Sequence, residues 1–503
     1  MNLTLPISNP HLPALNATEP SNLTEVAIAR GDGIGPEIMD AVLAVLQAAE
    51  APIRPRPIDM GEHVYLSGNK SGITDEAWRL LRQTGVLLKA PITTPQGGGY
   101  KSLNVTLRKT LGLFANIRPC VAYHPYAPTR HPGMDVVVVR ENEEDTYGGI
   151  EHRQTHEVTQ CLKLISWPGS LRLCRYAMAY ARARGREQVT CFVKDNIMKQ
   201  TDGLFRAAFE QAASEYPDIE TQTMIIDIGT AKLAARPEMF DVIVAPNLYG
   251  DIISDVAAEV AGSVGLVGTS NIGPGSAMFE AIHGSAPDIA GLGIANPSGL
   301  LLSAVQMLEH LGQHDHAKQV HNAWLCTIED GIHTADIYRP KTSQKKLGTM
   351  AFAEAVIDRL GQEPTTLAAI DYDPAPIAVP PVPKPKKVDK QLVGVDVFLH
   401  WDQAKRDPDV LANDLMAITN PGFVLKMLTN RGTKVWPQGL PETFCTDHWR
   451  CRFLPSNGSG PMGPRRIVKL LGALAEAGLD VVKTENLYRF DGKPGYSMGQ
   501  GES

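Results

Sequence analysis

Ser102, Asn104, Arg108 and Arg118 fall close together in the segment KSLNVTLRKTLGLFANIRP (101–119). Guanidinium groups grip carboxylates through paired hydrogen bonds. With a hydroxyl and an amide beside them, the two arginines suit a small molecule carrying several negative charges. Surface ion pairs would use the same residue types. Arg140 closes the apolar run MDVVVVR (134–140), and Tyr147 follows an acidic stretch after it. Active groups of α/β proteins gather at strand C-termini. Lys194 leaves the run QVTCFVK (188–194) in the same way. The acidic stretch itself, Glu143 to Asp145, reads as a solvated turn.

Asp251 and Asp255 stand four apart in NLYGDIISDVAAE (247–259). On a helix they share one face, where like charges repel unless a cation sits between them. Hard oxygen ligands suit Mg²⁺ or Mn²⁺, and Asp227, in TMIIDI (223–228), could add a third carboxylate. The helix dipole gives an equally simple reason for acids early in a helix. FEAIHGSAPDIAGLGIANP (279–297) is a polar, glycine-rich loop. In it His283 could meet a base or phosphate, and Asp288 could hold ribose hydroxyls.

These residues need a frame. Up to about residue 360, β-rich apolar runs (26–30, 85–92, 134–140, 188–194, 223–228, 240–247) alternate with helical periodicity (36–50, 169–184, 202–216, 251–262, 297–312, 352–361). Such alternation predicts an α/β fold with a substantially parallel sheet. The first turn, VAIARGDGIGPE, has strand, glycines and helix but not the G-x-G-x-x-G spacing of a dinucleotide fingerprint. Pro36 suits a first helical position, where its missing N–H costs nothing. After a proline-rich linker, the remainder reads β-α-β-β-α-β, a ferredoxin-like order. No internal repeat is visible.

Composition narrows the function. The chain has 503 residues, 43% hydrophobic, 20% charged, with net charge −7. That supports two or three domains with cores of their own. It leaves no basic footprint for nucleic acid, and no apolar run long enough to span a membrane. Seven scattered cysteines without C-x-x-C predict reduced thiols and a cytoplasmic setting. Residues 1–24 lack Lys and Arg, which predicts a disordered or loosely docked tail and not a leader.

Taken together, GDGIGPE, SLNVTLR, RENEEDTYGGIE, VKDNIMK, NLYGDIISD and HGSAPDIAG occur in one order. This set resembles the isocitrate/isopropylmalate dehydrogenase family over roughly residues 25–360. The resemblance implies a non-Rossmann α/β fold with a small α+β C-terminal domain, as in a longer bacterial class. It implies a large cofactor-binding domain (25–111 and 262–365), a small domain with substrate and metal residues and dimer contacts (112–261), a linker (366–388) and a C-terminal domain (389–503) whose expected task is assembly.

The resemblance also assigns roles. Ser102, Asn104, Arg108, Arg118 and Arg140 bind substrate, with the three arginines clamping carboxylates. Tyr147 and Lys194 are catalytic. Asp227, Asp251 and Asp255 hold Mg²⁺ or Mn²⁺. Thr93, the loop His283, Gly284, Ser285, Ala286, Pro287, Asp288 and Ile289, and Asn296 take the cofactor. Asp227 and Lys194 cross from a neighbouring subunit, so a homodimer or higher homo-oligomer with shared sites is expected. Family members acting on isocitrate carry S-x-N-x-x-x-R, whereas an isopropyl group would leave Ser102 and Asn104 buried and unpaired, costing about 1–3 kcal/mol each. Isocitrate is therefore the expected substrate. NADP-dependent relatives commonly carry Lys-Tyr where this chain has Asp288-Ile289, so NAD is the expected cofactor. The alternatives are an isopropylmalate, homoisocitrate or tartrate dehydrogenase, or a regulatory subunit. A regulatory subunit would be expected to lack part of the acid–base and metal set.

Overall fold

The computed structural model describes residues 23–93, 102–372, 377–384, 386–419, 422–456 and 462–499. Most of the expected N-terminal tail, the glycine-rich stretch 94–100 and parts of the linker lie outside them. The chain divides into one unit of residues 1–100 and 277–372, and a second of 101–276 and 373–503.

In the first unit four parallel strands lie in the spatial order Ile53–Pro57, Thr24–Ala29, Val86–Lys89, Ala277–Ala281. The last two are buried along their whole length, as parallel strands covered on both faces must be. Helix Gly35–Ala48 starts with Pro36 in its first turn and turns Ile38, Met39, Val42, Val45 and Leu46 inward. Helices Glu62–Leu66, Asp75–Thr84, Ser298–His310, His314–Glu329 and Thr349–Ile357 also belong to the unit.

The GDGIGPE turn has a structural task here. The Asp32 N–H donates to the Pro91 carbonyl at 2.8 Å, and the Ile34 N–H to the Ser285 carbonyl at 2.9 Å. At Gly33, φ is +60°, and a Cβ would lie 2.0 Å from the Ser285 carbonyl oxygen. Only glycine permits that approach. Amides that would cradle a phosphate in a dinucleotide turn are thus spent on the Pro91 carbonyl and on the Ser285 carbonyl of the 283–289 loop.

The second unit orders its strands Gly268–Ile272, Ala115–Val121, Asp135–Glu141, Val242–Ala245, Gln188–Val193, Glu220–Ile225. The last four run parallel. Ala115–Val121 pairs antiparallel with both its neighbours, a feature the alternation of motifs does not reveal. Its sequence, ANIRPCV, contains proline and charge and so lacks the usual β signature. The run TMIIDI also divides: the strand stops at Ile225, and Asp227 sits in the first turn of helix Ile226–Ala235.

Residues 390–494 form a separate antiparallel sheet in the order Thr433–Trp436, Phe423–Asn430, His448–Pro455, Lys390–His400, Asp480–Phe490, Lys493–Pro494. Helices Pro408–Ile418 and Pro464–Glu476 contribute Leu411, Leu415, Ile467, Leu470 and Leu474 to a core shared with Val395, Val397, Leu399, Trp449, Cys451 and Phe453. The stretch GFVLKMLTNRGTKVW, the second strand of the β-α-β-β-α-β order expected above, is a hairpin. Arg431 and Gly432 both take positive φ (48° and 83°), which turns the chain back on itself.

Candidate active site

Helix Asn247–Ala261 lies against strand Asp135–Glu141 so closely that a Cβ on Gly250 would meet Arg140 Cγ at 2.6 Å. This approach gathers the charged groups. Arg140, 1% exposed, sends Nε and Nη2 to the Asn247 side-chain oxygen at 3.0 and 2.7 Å, and Nη1 to Asp251 Oδ1. Arg118 reaches Ser254 and lies 3.5 Å from both Asp251 and Asp255. Its Nε donates to Asn116 Oδ1 at 2.6 Å. The Tyr147 hydroxyl donates to Asp251 Oδ2, while its ring lies 4.8 Å from the Arg140 guanidinium.

The electrostatics follow from this crowding. Burial, with Arg118 and Arg108 nearby, pushes Arg140 below its usual range. Burial alone would raise Asp251, but Arg140, Arg118, the Tyr147 hydrogen bond and Arg108 hold it below an ordinary aspartate. Burial raises Asp255, and Arg118 offsets this only in part. Burial and the Asp251 bond also raise Tyr147, so its hydroxyl keeps its proton.

Ser102 caps helix Leu103–Thr110, from which Asn104 and the buried Arg108 project four residues apart. Asn104 Oδ1 is buried without a hydrogen-bond partner among the described residues. An amide turned by 180° would present its N–H₂ there instead. Either way, a polar ligand group is wanted at this point. Lys194 and Asp227 form a pair of their own, Nζ to Oδ1 2.7 Å. That contact holds the Asp227 carboxyl below its usual range. Among the described residues no three His, Cys, Asp or Glu side chains converge as a cation site. Asp227 therefore does not join Asp251 and Asp255 within one chain. Oxygen donors from Asp251 and Asp255 still suit a hard divalent cation, as an incomplete set.

The cofactor candidates lie in the first unit. Thr93 donates its N–H to Asp32 Oδ2 at 2.9 Å, and its hydroxyl meets that of Ser285 at 2.7 Å. His283 Nε2 is buried without a hydrogen-bond partner among the described residues, and burial lowers that imidazole's pKa. Gly284, Pro287 and Asp288 are exposed. Ala286, at φ +37°, turns the chain into a short helical turn, Pro287–Ile289. Asn296 is already engaged: its Oδ1 accepts from Ser298 N–H, and its Nδ2 donates to Asp336 Oδ2 at 2.9 Å.

Sequence reasoning missed several supports. Asn247, Asn116 and Asp336 orient Arg140, Arg118 and Asn296, and isolated polar residues give no pattern to find them by. Lys89 and Glu280 form a buried pair at 2.7 Å on the strands that precede Thr93 and His283. The acidic run is only partly solvated: Glu143 and Glu144 are half-buried and Asp145 is fully buried. Glu141, two residues before it, is buried and pushed up to about 7 by desolvation.

Residues 25–356 match the family model for isocitrate/isopropylmalate dehydrogenase. Residues 390–502 match that for the bacterial isocitrate dehydrogenase C-terminal domain. A Rickettsia bellii protein named isocitrate dehydrogenase (NADP) is 52% identical over 492 residues, 96% of this chain and 100% of its own. An Arabidopsis thaliana protein named isocitrate dehydrogenase (NAD) catalytic subunit 5, mitochondrial, is 44% identical, over 66% of this chain and 87% of its own. A crystal structure of a Thermus thermophilus protein superposes with TM-score 0.89 at 42% identity, covering 95% of this chain and 96% of its own. The chain belongs to the isocitrate/isopropylmalate dehydrogenase family.

Proposed function

We propose that the protein is an NAD-dependent isocitrate dehydrogenase of the citric acid cycle, converting isocitrate to 2-oxoglutarate and CO₂ with Mg²⁺ or Mn²⁺. The observation that carries this reading is the convergence of Arg118, Arg140, Tyr147, Asp251 and Asp255. Beside it, Ser102, Asn104 and Arg108 supply polar recognition for a third carboxylate, which an isopropyl group would waste.

The arginines bind and orient the carboxylates through charge-assisted bonds. Asp251 and Asp255 would hold the cation, completed by Asp227 from a second copy in a homodimer or higher homo-oligomer. Such a cation supplies Lewis-acid polarisation of the substrate oxygens. Lys194 of the second copy, directly or through water or Asp227, would assist removal of the proton of the substrate hydroxyl, and a bound nicotinamide would supply the hydride acceptor. After CO₂ departs, Tyr147, kept protonated by burial and Asp251, delivers a proton to the enolate carbon. The loop 283–289, Thr93 and Asn296 hold the cofactor. A cytoplasmic location fits seven free cysteines; among the described residues no helix is long and apolar enough to cross a membrane.

The choice of NAD rests on Asp288, whose exposed carboxylate favours ribose hydroxyls and repels a 2′-phosphate. A second reading, NADP, is favoured by the name of the Rickettsia relative. An absorbance assay at 340 nm with isocitrate and Mg²⁺ or Mn²⁺ compares the two cofactors. Faster reduction of NAD supports the proposal, and preference for NADP refutes the Asp288 argument while keeping the enzyme. No reduction with either sinks the enzyme reading. Asp288→Lys should move the NADP-to-NAD ratio of kcat/KM upward by about tenfold or more, roughly 1.4 kcal/mol.

A further inference from the structure

The Lys163 ammonium is 2.8 Å from Asp202 Oδ1 and 3.5 Å from Asp145 Oδ1. Both carboxylates are completely buried, and the lysine side chain is 15% exposed. The ammonium also sits 4.5 Å from the centre of the Tyr249 ring.

Asp202 Oδ2 accepts the backbone N–H of Lys194 at 2.7 Å. Asp145 accepts the Thr146 N–H at 2.8 Å and the Leu248 N–H at 3.0 Å. The first of these bonds caps the single helical turn Thr146–Gly148 that carries Tyr147. The second ties it to the first turn of the helix that carries Asp251 and Asp255. The Asp145 backbone, at φ 65° and ψ −154°, occupies a region that non-glycine residues avoid. A strained residue persists only where its surroundings over-determine it. Here its side chain, its N–H to the Leu164 carbonyl at 2.8 Å, and Lys163 do so.

We propose that Lys163, with Asp145 and Asp202, is a positioning device that sets the backbone of both Tyr147 and Lys194. One ammonium bridges the carboxylate that fixes the tyrosine turn and the carboxylate that fixes the lysine. The proton donor of one site and the proton acceptor that the same chain lends to a neighbouring subunit's site are thereby held by a single buried charge. Lys163 touches no reacting atom, so its effect falls on turnover and not on substrate capture, which belongs to the arginines. The inference rests on the roles assigned to Tyr147 and Lys194 in the proposed reaction.

The test uses the full chain with isocitrate, Mn²⁺ and whichever cofactor the unmodified protein uses. Lys163→Met should lower kcat by about ten- to a hundredfold, the cost of roughly an ångström of misplacement, with isocitrate KM kept within about twofold. Lys163→Arg, which keeps the charge, should return kcat to within about threefold. If Lys163→Met does not fold, Asp202→Asn carries the comparison, with the same loss of kcat and the same KM. The proposal is overturned if the soluble variant keeps kcat within about twofold, if KM rises in step with the loss, or if arginine recovers nothing. Tyr147→Phe and Lys194→Met in the same assay separate the two readings. If both keep full turnover, the catalytic assignment fails and this inference with it. If both lose turnover while Lys163→Met does not, the assignment stands and the inference falls.

Discussion

Adding one methyl group at Gly250 should damage catalysis while leaving the protein folded. A Cβ there would lie 2.6 Å from Arg140 Cγ, 2.7 Å from its Cβ and 3.1 Å from its Cα. Ordinary contact begins at 3.4 Å, so the mismatch is 3.4 − 2.6, or 0.8 Å. Arg140 cannot absorb it: the residue is 1% exposed, lies in a paired strand and is bonded to Asn247 and Asp251. The helix must retreat, carrying Asp251 and Asp255 away from Arg140 and Arg118. Overpacking of this kind costs about 1–3 kcal/mol of stability. A shift near an ångström among reacting groups costs about a hundredfold in rate. For Gly250→Ala the expected result is therefore a small drop in melting temperature, with kcat/KM for isocitrate lower by about two orders of magnitude. Steady-state kinetics, with a thermal melt on the same preparation, measures both. A variant with unchanged kinetics and unchanged melting would refute the claim that this close approach sets the site geometry.

Two further outcomes follow from buried charges. Arg452 donates to both oxygens of Asp396 at 2.7 and 2.8 Å in the C-terminal sheet, each side chain nearly inaccessible. Arg452→Met should destabilise that domain by about 3–5 kcal/mol, and adding Asp396→Leu should recover most of the loss. Denaturant unfolding followed by tryptophan fluorescence, to which Trp401, Trp436 and Trp449 of this domain contribute half of the six indoles, reads this, and no recovery in the double variant would refute it. Glu141 is raised by burial to about 7 from an ordinary 4.5. Between those values the folded state binds more protons than the unfolded, so this group's contribution falls as pH rises. Glu141→Gln should remove that slope, so the gap in unfolding free energy between variant and unmodified protein should change by about 3 kcal/mol from pH 4.5 to 8. Parallel stability curves over that range would show that the carboxyl is not held protonated.

The amino-acid sequence alone determined which groups are available and on what kind of element. Strand-end Arg140 and Lys194 and helix-face Asp251 and Asp255 follow from short-range periodicity and residue type, whereas the helix capped by Ser102 does not. Those signals are local, so they survive without coordinates. The tertiary structure decided what meets what. Arg118 and Asp251 are 133 positions apart, and Asp145 and Leu248 are 103 apart. No window of sequence encodes such pairs. The antiparallel strand Ala115–Val121 and the hairpin at Arg431–Gly432 escaped for the same reason. Their identity comes from hydrogen-bond partners and backbone angles, not from hydrophobic pattern. The acidic run 143–145 is the clearest case, since charge by itself argues for solvent. Asp145 is buried because Lys163 and two backbone N–H groups supply there what water would otherwise provide.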